Sequence, residues 1–360
     1  MALLIFAVIL TSVVVLSIPL NSLIIIVFLK TRQSRHDAHR DFLILSLAVS
    51  DILQALFGYP AEIRSLFNGE LQDAESAACK FTAFAVTFFG LTSINHLVFM
   101  MIKRACIVLY PFGTLTTEKF YSYVSVTFSW LISFVFALIP WVSWSGYGGT
   151  KDRCSINWKD GSLHNRIYLY ILFGCQFVLP FLIIIICYFI ILKVLRKSVD
   201  SQRSRNASLP KEIQEKLKKN ESERKAVSMV VLMTSAYLIA WTPYAIISLM
   251  TINMGDDFIS QNAVLYISFL AKSSTLCNPV IYAIYSNKEY RMRMIRSYNK
   301  WRSSNIISSS SNSKEDGASC AGGQCAEKFD SSSSSTGWTS VQFADIYRPS
   351  KISTANVEGV

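Results

Sequence analysis

Seven predominantly apolar stretches divide this chain: Ala2–Leu29, Phe42–Phe67, Phe81–Ile102, Tyr121–Trp144, Ile167–Leu192, Ala226–Met250 and Ala263–Tyr285. As helices rising ~1.5 Å per residue, each is long enough to cross about 30 Å of hydrocarbon. A soluble body with seven such helices would need a charged surface to cover them, and the composition denies it. Only 16% of the residues are charged and 51% are apolar, with a mean hydropathy of +0.35, against roughly 25% charged in an average soluble domain. The first stretch carries no charge, is too long for a signal-peptide core and lacks a basic leader, so it reads as a retained helix. The expectation is an all-α membrane protein, a seven-transmembrane helix bundle. A cytosolic enzyme is excluded.

The net charge of +11 raises the question of a nucleic-acid partner until its placement is considered. The segments Lys30–Arg40, Lys103–Lys119, Lys193–Lys225 and Lys288–Arg302 hold 24 of the 35 lysines and arginines, whereas Gly255–Asn262 holds none. Basic residues gather on the cytoplasmic side of membrane proteins, so the amino terminus is expected outside and the carboxyl terminus inside. The basic excess then reports topology and contact with anionic lipid, not DNA. Both helices flanking Lys193–Lys225 are expected to continue into the cytoplasm. The expected organisation is a bundle over 1–286, an amphipathic cytoplasmic helix over 287–302, and a disordered Ser-rich tail over 303–360.

Most of the eight cysteines lie inside spans, where they pack as small apolar residues. Cys79, at the outer end of the third span, and Cys154, in the second outer loop, face an oxidising compartment instead. A bridge between them would pin that loop over the bundle mouth; the residues alone leave a bridge and two thiols equally open.

Polar residues inside the bilayer cost at least ~2.5–3.5 kcal/mol each when ionisable, so each requires a reason. Asp51 stands midway along the second span in Leu47-Ala48-Val49-Ser50-Asp51, and Glu62 lies near its outer end. The seventh span carries Lys272 within Phe269-Leu270-Ala271-Lys272-Ser273, followed by Asn278-Pro279-Val280-Ile281-Tyr282. The sixth carries Trp241-Thr242-Pro243-Tyr244. Out of water the charged form of an amine is disfavoured, and a neutral amine is a nucleophile able to condense with an aldehyde. Taken alone, Lys272 fits that role and an ion-paired structural role equally well.

Taken together these residues resemble the rhodopsin-like (class A) G-protein-coupled receptors, and within them the opsins. The matching points are Asn21, Leu47-Ala48-x-x-Asp51, Cys79, Arg104, Trp130, Cys154, Pro180, Tyr188, Trp241-x-Pro243 and Asn278-Pro279-x-x-Tyr282. The narrower likeness rests on Lys272, six residues before Asn278, where opsins bind 11-cis-retinal through a Schiff base. The resemblance implies a Cys79–Cys154 disulfide, a retinal pocket flanked by Trp241 and Tyr244, and Phe88, Phe89 and Phe269 as further pocket candidates. It also implies a G-protein switch built from Arg104, Glu223, Asp51, Asn278, Pro279 and Tyr282. Asn95 and His96 are expected to form a packed, satisfied pair.

Two departures from the visual-pigment pattern bear on function. Thr82 stands three residues after Cys79, where those pigments hold a glutamate, and the second outer loop lacks the glutamate common there. Glu62 becomes the expected counterion. It follows Asp51 by eleven residues, about three helical turns, which puts both on one face, subject to a bend at Pro60. Some cnidarian opsins, notably of box jellyfish, are similar in this placement; Asp152 and a bound chloride are the competitors. The second departure is Lys103-Arg104-Ala105 where the family has acid-Arg-aromatic, which predicts raised activity in the dark. The resemblance implies a photoreceptor of the plasma membrane, not an enzyme, that couples to a heterotrimeric G protein of the Gs type. Ser308–Ser311 and Ser331–Ser335 are the expected receptor-kinase and arrestin sites. A class A receptor for a diffusible ligand and a retinal photoisomerase are the alternative readings.

Overall fold

A serine begins three of the helices, and the reason is local. The side chains of Ser76, Ser162 and Ser260 accept the backbone N–H of Cys79, Asn165 and Ala263 at 3.2, 3.4 and 3.3 Å, occupying amides that a helix N-terminus leaves unpaired. The computed structural model describes residues 2–31, 42–68, 76–110, 115–142, 146–150, 153–158, 160–203, 211–255 and 260–285. Its helices are α1 (Ala2–Thr31), α2 (Phe42–Leu53), α3 (Pro60–Asn68), α4 (Ala77–Leu109) and α5 (Leu115–Leu138). They continue with α6 (Leu163–Phe173), α7 (Leu179–Arg203), α8 (Lys211–Met254), α9 (Gln261–Lys272) and α10 (Ser274–Tyr285). Gly255, at φ +83°, closes α8 in the left-handed conformation that glycine adopts at no steric cost.

Among the described residues these helices make seven spans long and apolar enough to cross a membrane. Two spans are spliced by π turns, α2 to α3 through Gln54–Gly58 and α6 to α7 through Gly174–Val178. The seventh is broken at Ser273, between α9 and α10. The helices overrun the apolar blocks: α4 starts at Ala77 and carries Lys103 and Arg104 within its last turns, and α7 and α8 extend to Arg203 and back to Lys211. Those extensions are the ones expected for the Lys193–Lys225 segment.

Helix α4 is the hub, packed against α2, α5, α7 and α8. One core, holding Leu43, Leu47, Leu97, Met101, Val230 and Tyr282, fills the end where α4 carries Arg104. A second, around Tyr147, Cys154, Ile156 and Tyr168, lies under the β1 (Tyr147–Thr150) and β2 (Arg153–Ile156) hairpin, paired antiparallel with Gly149 opposite Cys154. A third joins α1, α3 and α9 through Phe6, Leu10, Tyr59, Leu66 and Phe269. Leu16, Phe128, Leu131, Ile186, Phe189 and Ile239 face outward, an arrangement suited to lipid and costly in water.

All the described residues fall within one compact unit, Met1–Ile306. The helix expected over 287–302, the tail from 303 onward, and Asp152 lie outside the described residues. Glu223 falls within α8, but its side chain is likewise not among those described.

Candidate functional site

The break at Ser273 fixes the main chain of the residue before it. The N–H of Leu276 donates to Ser273 O at 3.0 Å. The carbonyl of Lys272 accepts from the hydroxyls of Thr275 (3.2 Å) and Tyr59 (3.4 Å). Side chain and backbone are thereby handled separately. The Lys272 ammonium pairs with both carboxylate oxygens of Glu62, and the two residues are only 6% and 1% exposed. The Tyr59 and Phe269 rings lie 6.0 and 5.5 Å from Nζ, within reach of a cation–π interaction.

Glu62 arrives at this point by a route other than the one its spacing suggests. A straight three-turn count from Asp51 fails, because Gln54–Gly58 is a π turn and Tyr59 leaves the helix before Pro60 restarts it. Both carboxylates still point inward. The geometry that brings them there is a splice and not a uniform helix. Arg64, on the same α3, is exposed.

Lys272 stands at the wall of a cavity of about 150 Å³. Trp241, Tyr244, Leu172, Phe177 and Ile156 contribute its apolar lining, while Gln176 and Ser248 add a few polar atoms. Ligand cavities are commonly built this way, apolar with a few aimed polar groups. Gly90 is the close approach: a Cβ there would come within 3.3 Å of the Trp241 ring. Trp241 stacks on Tyr237 at 5.5 Å, and its indole N–H donates to Ser274 Oγ at 3.0 Å, two residues beyond the lysine. The Cys79–Cys154 disulfide, with Cα atoms 5.3 Å apart, ties α4 to β2 and holds Ile156 and Trp158 against the cavity. The Tyr147 hydroxyl donates to Ala137 O at 2.7 Å, and burial pushes that phenol well above its usual range.

Below the cavity, Asp51 accepts from Ser93 (3.0 Å) and Asn278 (2.9 Å), joining α2, α4 and α10 through fully buried polar atoms. Farther along α4, Arg104 is buried, and Lys103 donates through Nζ to Ser122 of α5 at 3.0 Å. Among the described residues no group of three His, Cys, Asp or Glu side chains converges as a metal site would require.

This arrangement of seven spans, a hairpin pinned to the third and a Trp–Pro sixth span is matched by sequence comparison. Residues 20–282 fit the profile of the 7 transmembrane receptor (rhodopsin family). The chain belongs to that family.

The receptor is 29% identical over 316 residues to the blue-sensitive opsin of Anolis carolinensis, covering 85% of this chain and 84% of that one. It is 28% identical over 287 residues to the rhodopsin of Petromyzon marinus, covering 78% and 77%. Its fold superimposes on the crystal structure of squid rhodopsin with a TM-score of 0.72 at 24% identity, over 82% of this chain and 85% of that one. It is an opsin-like receptor, and its relatives are receptors and not enzymes.

The receptor's cavity corrects part of the aromatic expectation. Trp241 and Tyr244 line it, but Phe88, Phe89 and Phe269 do not. Phe88 and Phe89 turn toward Trp130 of α5, with centroids 5.5 and 6.2 Å away. Phe269 stacks on Phe6 of α1 at 4.9 Å. Asn95 and His96 are satisfied as expected: Asn95 donates to Ser133 and Gln176, and the His96 nitrogens lie 2.8 Å from Ser46 Oγ and 2.6 Å from Thr92 O. Sequence reasoning missed Tyr59, Trp158 and Gln176. Trp158 follows Cys154 by four residues, so the disulfide was a usable signal for it. Gln176 reaches the cavity from a π turn that no periodicity announces.

Proposed function

We propose that this chain is a light-activated G-protein-coupled receptor that holds 11-cis-retinal through a Schiff base at Lys272, with Glu62 as its counterion. The observation that carries this is the buried Lys272–Glu62 ion pair at the wall of an apolar cavity. A primary amine at that wall supplies the nucleophile, and the aromatic and aliphatic lining suits a hydrocarbon chain. Bound there, retinal supplies absorption of visible light and a change of shape on isomerisation. Glu62 provides the anion that a positive nitrogen needs in a low-dielectric site, in place of the glutamates missing at Thr82 and in the hairpin. That placement resembles the cnidarian opsins, and the resemblance favours a Gs-type partner.

Trp241 reads the shape of the cavity. When the cavity no longer fits, the sixth span turns outward about Pro243, a population shift between two packings. Arg104, with Glu223, and the Asp51–Asn278 bond hold the resting arrangement. The amino terminus lies outside a plasma membrane. The basic segment 287–302 and the extensions of α7 and α8 receive the G protein, and the Ser-rich tail serves the kinase and arrestin.

Full-length protein incubated with 11-cis-retinal in the dark tests this. A visible band that illumination alters, that Lys272→Ala abolishes, and that accompanies a light-dependent rise in cyclic AMP in expressing cells is expected. No band in the parent protein would leave a receptor for a diffusible ligand.

A further inference from the structure

Tyr59 stands against both the lysine and the start of the helix that carries Glu62. It sits at the corner where the π turn Gln54–Gly58 ends and Pro60 begins α3. Its carbonyl accepts the N–H of Ile63 at 3.0 Å, closing the first turn of the helix that carries Glu62. Its hydroxyl donates to the carbonyl of Lys272 at 3.4 Å, alongside Thr275. Its ring lies 6.0 Å from Nζ, with Phe269 as a second ring at 5.5 Å. It is 0% exposed, held among Phe6, Leu10, Ala55 and Leu66. Tyr59 does not line the cavity, whereas Lys272 does.

We propose that Tyr59 is the positioning residue of the chromophore linkage, acting on the lysine from the side away from the cavity. This rests on the Schiff-base reading above. The hydroxyl tethers the lysine main chain at the helix break, where a carbonyl has lost its regular helical surroundings. The ring offers its electron-rich face to the nitrogen. The backbone of the same residue sets where Glu62 enters. A linkage built this way keeps its nitrogen beside the carboxylate because neither partner can drift independently, the preorganisation that functional sites draw from rigid supporting residues.

Two substitutions separate the contributions in the full-length pigment. Tyr59→Phe keeps the ring and drops the hydroxyl. Its band is expected within a few nanometres of the parent, with dark bleaching by hydroxylamine several-fold faster. Tyr59→Leu also removes the ring. Its band is expected to move to longer wavelength, because the positive nitrogen loses one cation–π partner, with bleaching faster still. Leu43→Ala, in the separate apolar core around Leu47 and Met101, is the control; it should lower thermal stability without moving the band. The inference is overturned if Tyr59→Leu leaves band and bleaching rate at parental values, or if Leu43→Ala changes them as much. Should Tyr59→Leu not fold, an unchanged bleaching rate in Tyr59→Phe overturns it alone. A parent chain with no band would instead remove the Schiff-base reading and this role with it.

Discussion

At the scale of single residues, two opposite charges, Lys272 and Glu62, lie buried side by side. Removing one member of such a pair typically costs about 3–5 kcal/mol, because the other is left uncompensated in a low-dielectric site. Glu62→Gln should therefore send the dark absorption band of the reconstituted protein from the visible to the ultraviolet at neutral pH, while Glu62→Asp keeps it visible. An unmoved band in Glu62→Gln would eliminate the counterion assignment and leave Asp152 or a bound chloride. Lys272, Glu62 and Asp51 were legible in the sequence because an ionisable group in an apolar block stands out against its surroundings. Tyr59 was not, because a buried tyrosine in such a block looks like any other packed aromatic. Its role depends on a backbone break in a different span.

At the scale of elements, the second span decides whether Glu62 reaches its partner. Gly58 closes the π turn against α4, and a Cβ at that position would meet Val86 Cγ2 at 2.8 Å. Valine is stiff at χ1 and cannot swing aside, so Gly58→Ala should cost about 1–3 kcal/mol as an overpacked site does. A lowered thermal midpoint of the dark pigment, recovered in good part by adding Val86→Ala, is the expected result; full stability in the single variant would refute the packing argument. The seven spans themselves were readable from length and hydropathy, and the serine caps and Gly255 mark three of the starts and one of the ends. The π turns were not readable. A helix that gains one residue in a turn keeps the same apolar composition, so the count of eleven from Asp51 to Glu62 gave the right face through the wrong geometry. The aromatic guesses at Phe88, Phe89 and Phe269 failed for a related reason: all-round apolar helices carry no mark of which face meets a cavity and which meets a neighbouring helix.

At the scale of the whole molecule, the proposed signalling is a balance between two packings of one bundle, and small charges would move it. Lys103 stands beside Arg104 and is drawn to Ser122 across the α4–α5 seam. A like charge next to the buried Arg104 weakens its hold by at least about 1 kcal/mol. Dark nucleotide exchange on the G protein should consequently fall several-fold in Lys103→Glu. Dark exchange unchanged by that substitution would show that the resting state is held elsewhere. The disulfide and hairpin at the other end close the cavity by joining the third span to Ile156 and Trp158, so the chamber and Arg104 sit toward opposite ends of α4. Everything between them presumes that the chamber carries a covalent chromophore. Borohydride reduction of the dark, retinal-treated protein, followed by peptide mass spectrometry, tests this most directly. A retinyl group is expected on the peptide containing Lys272 and on no other lysine; an unmodified Lys272, with the retinoid absent or attached elsewhere, would refute the covalent linkage.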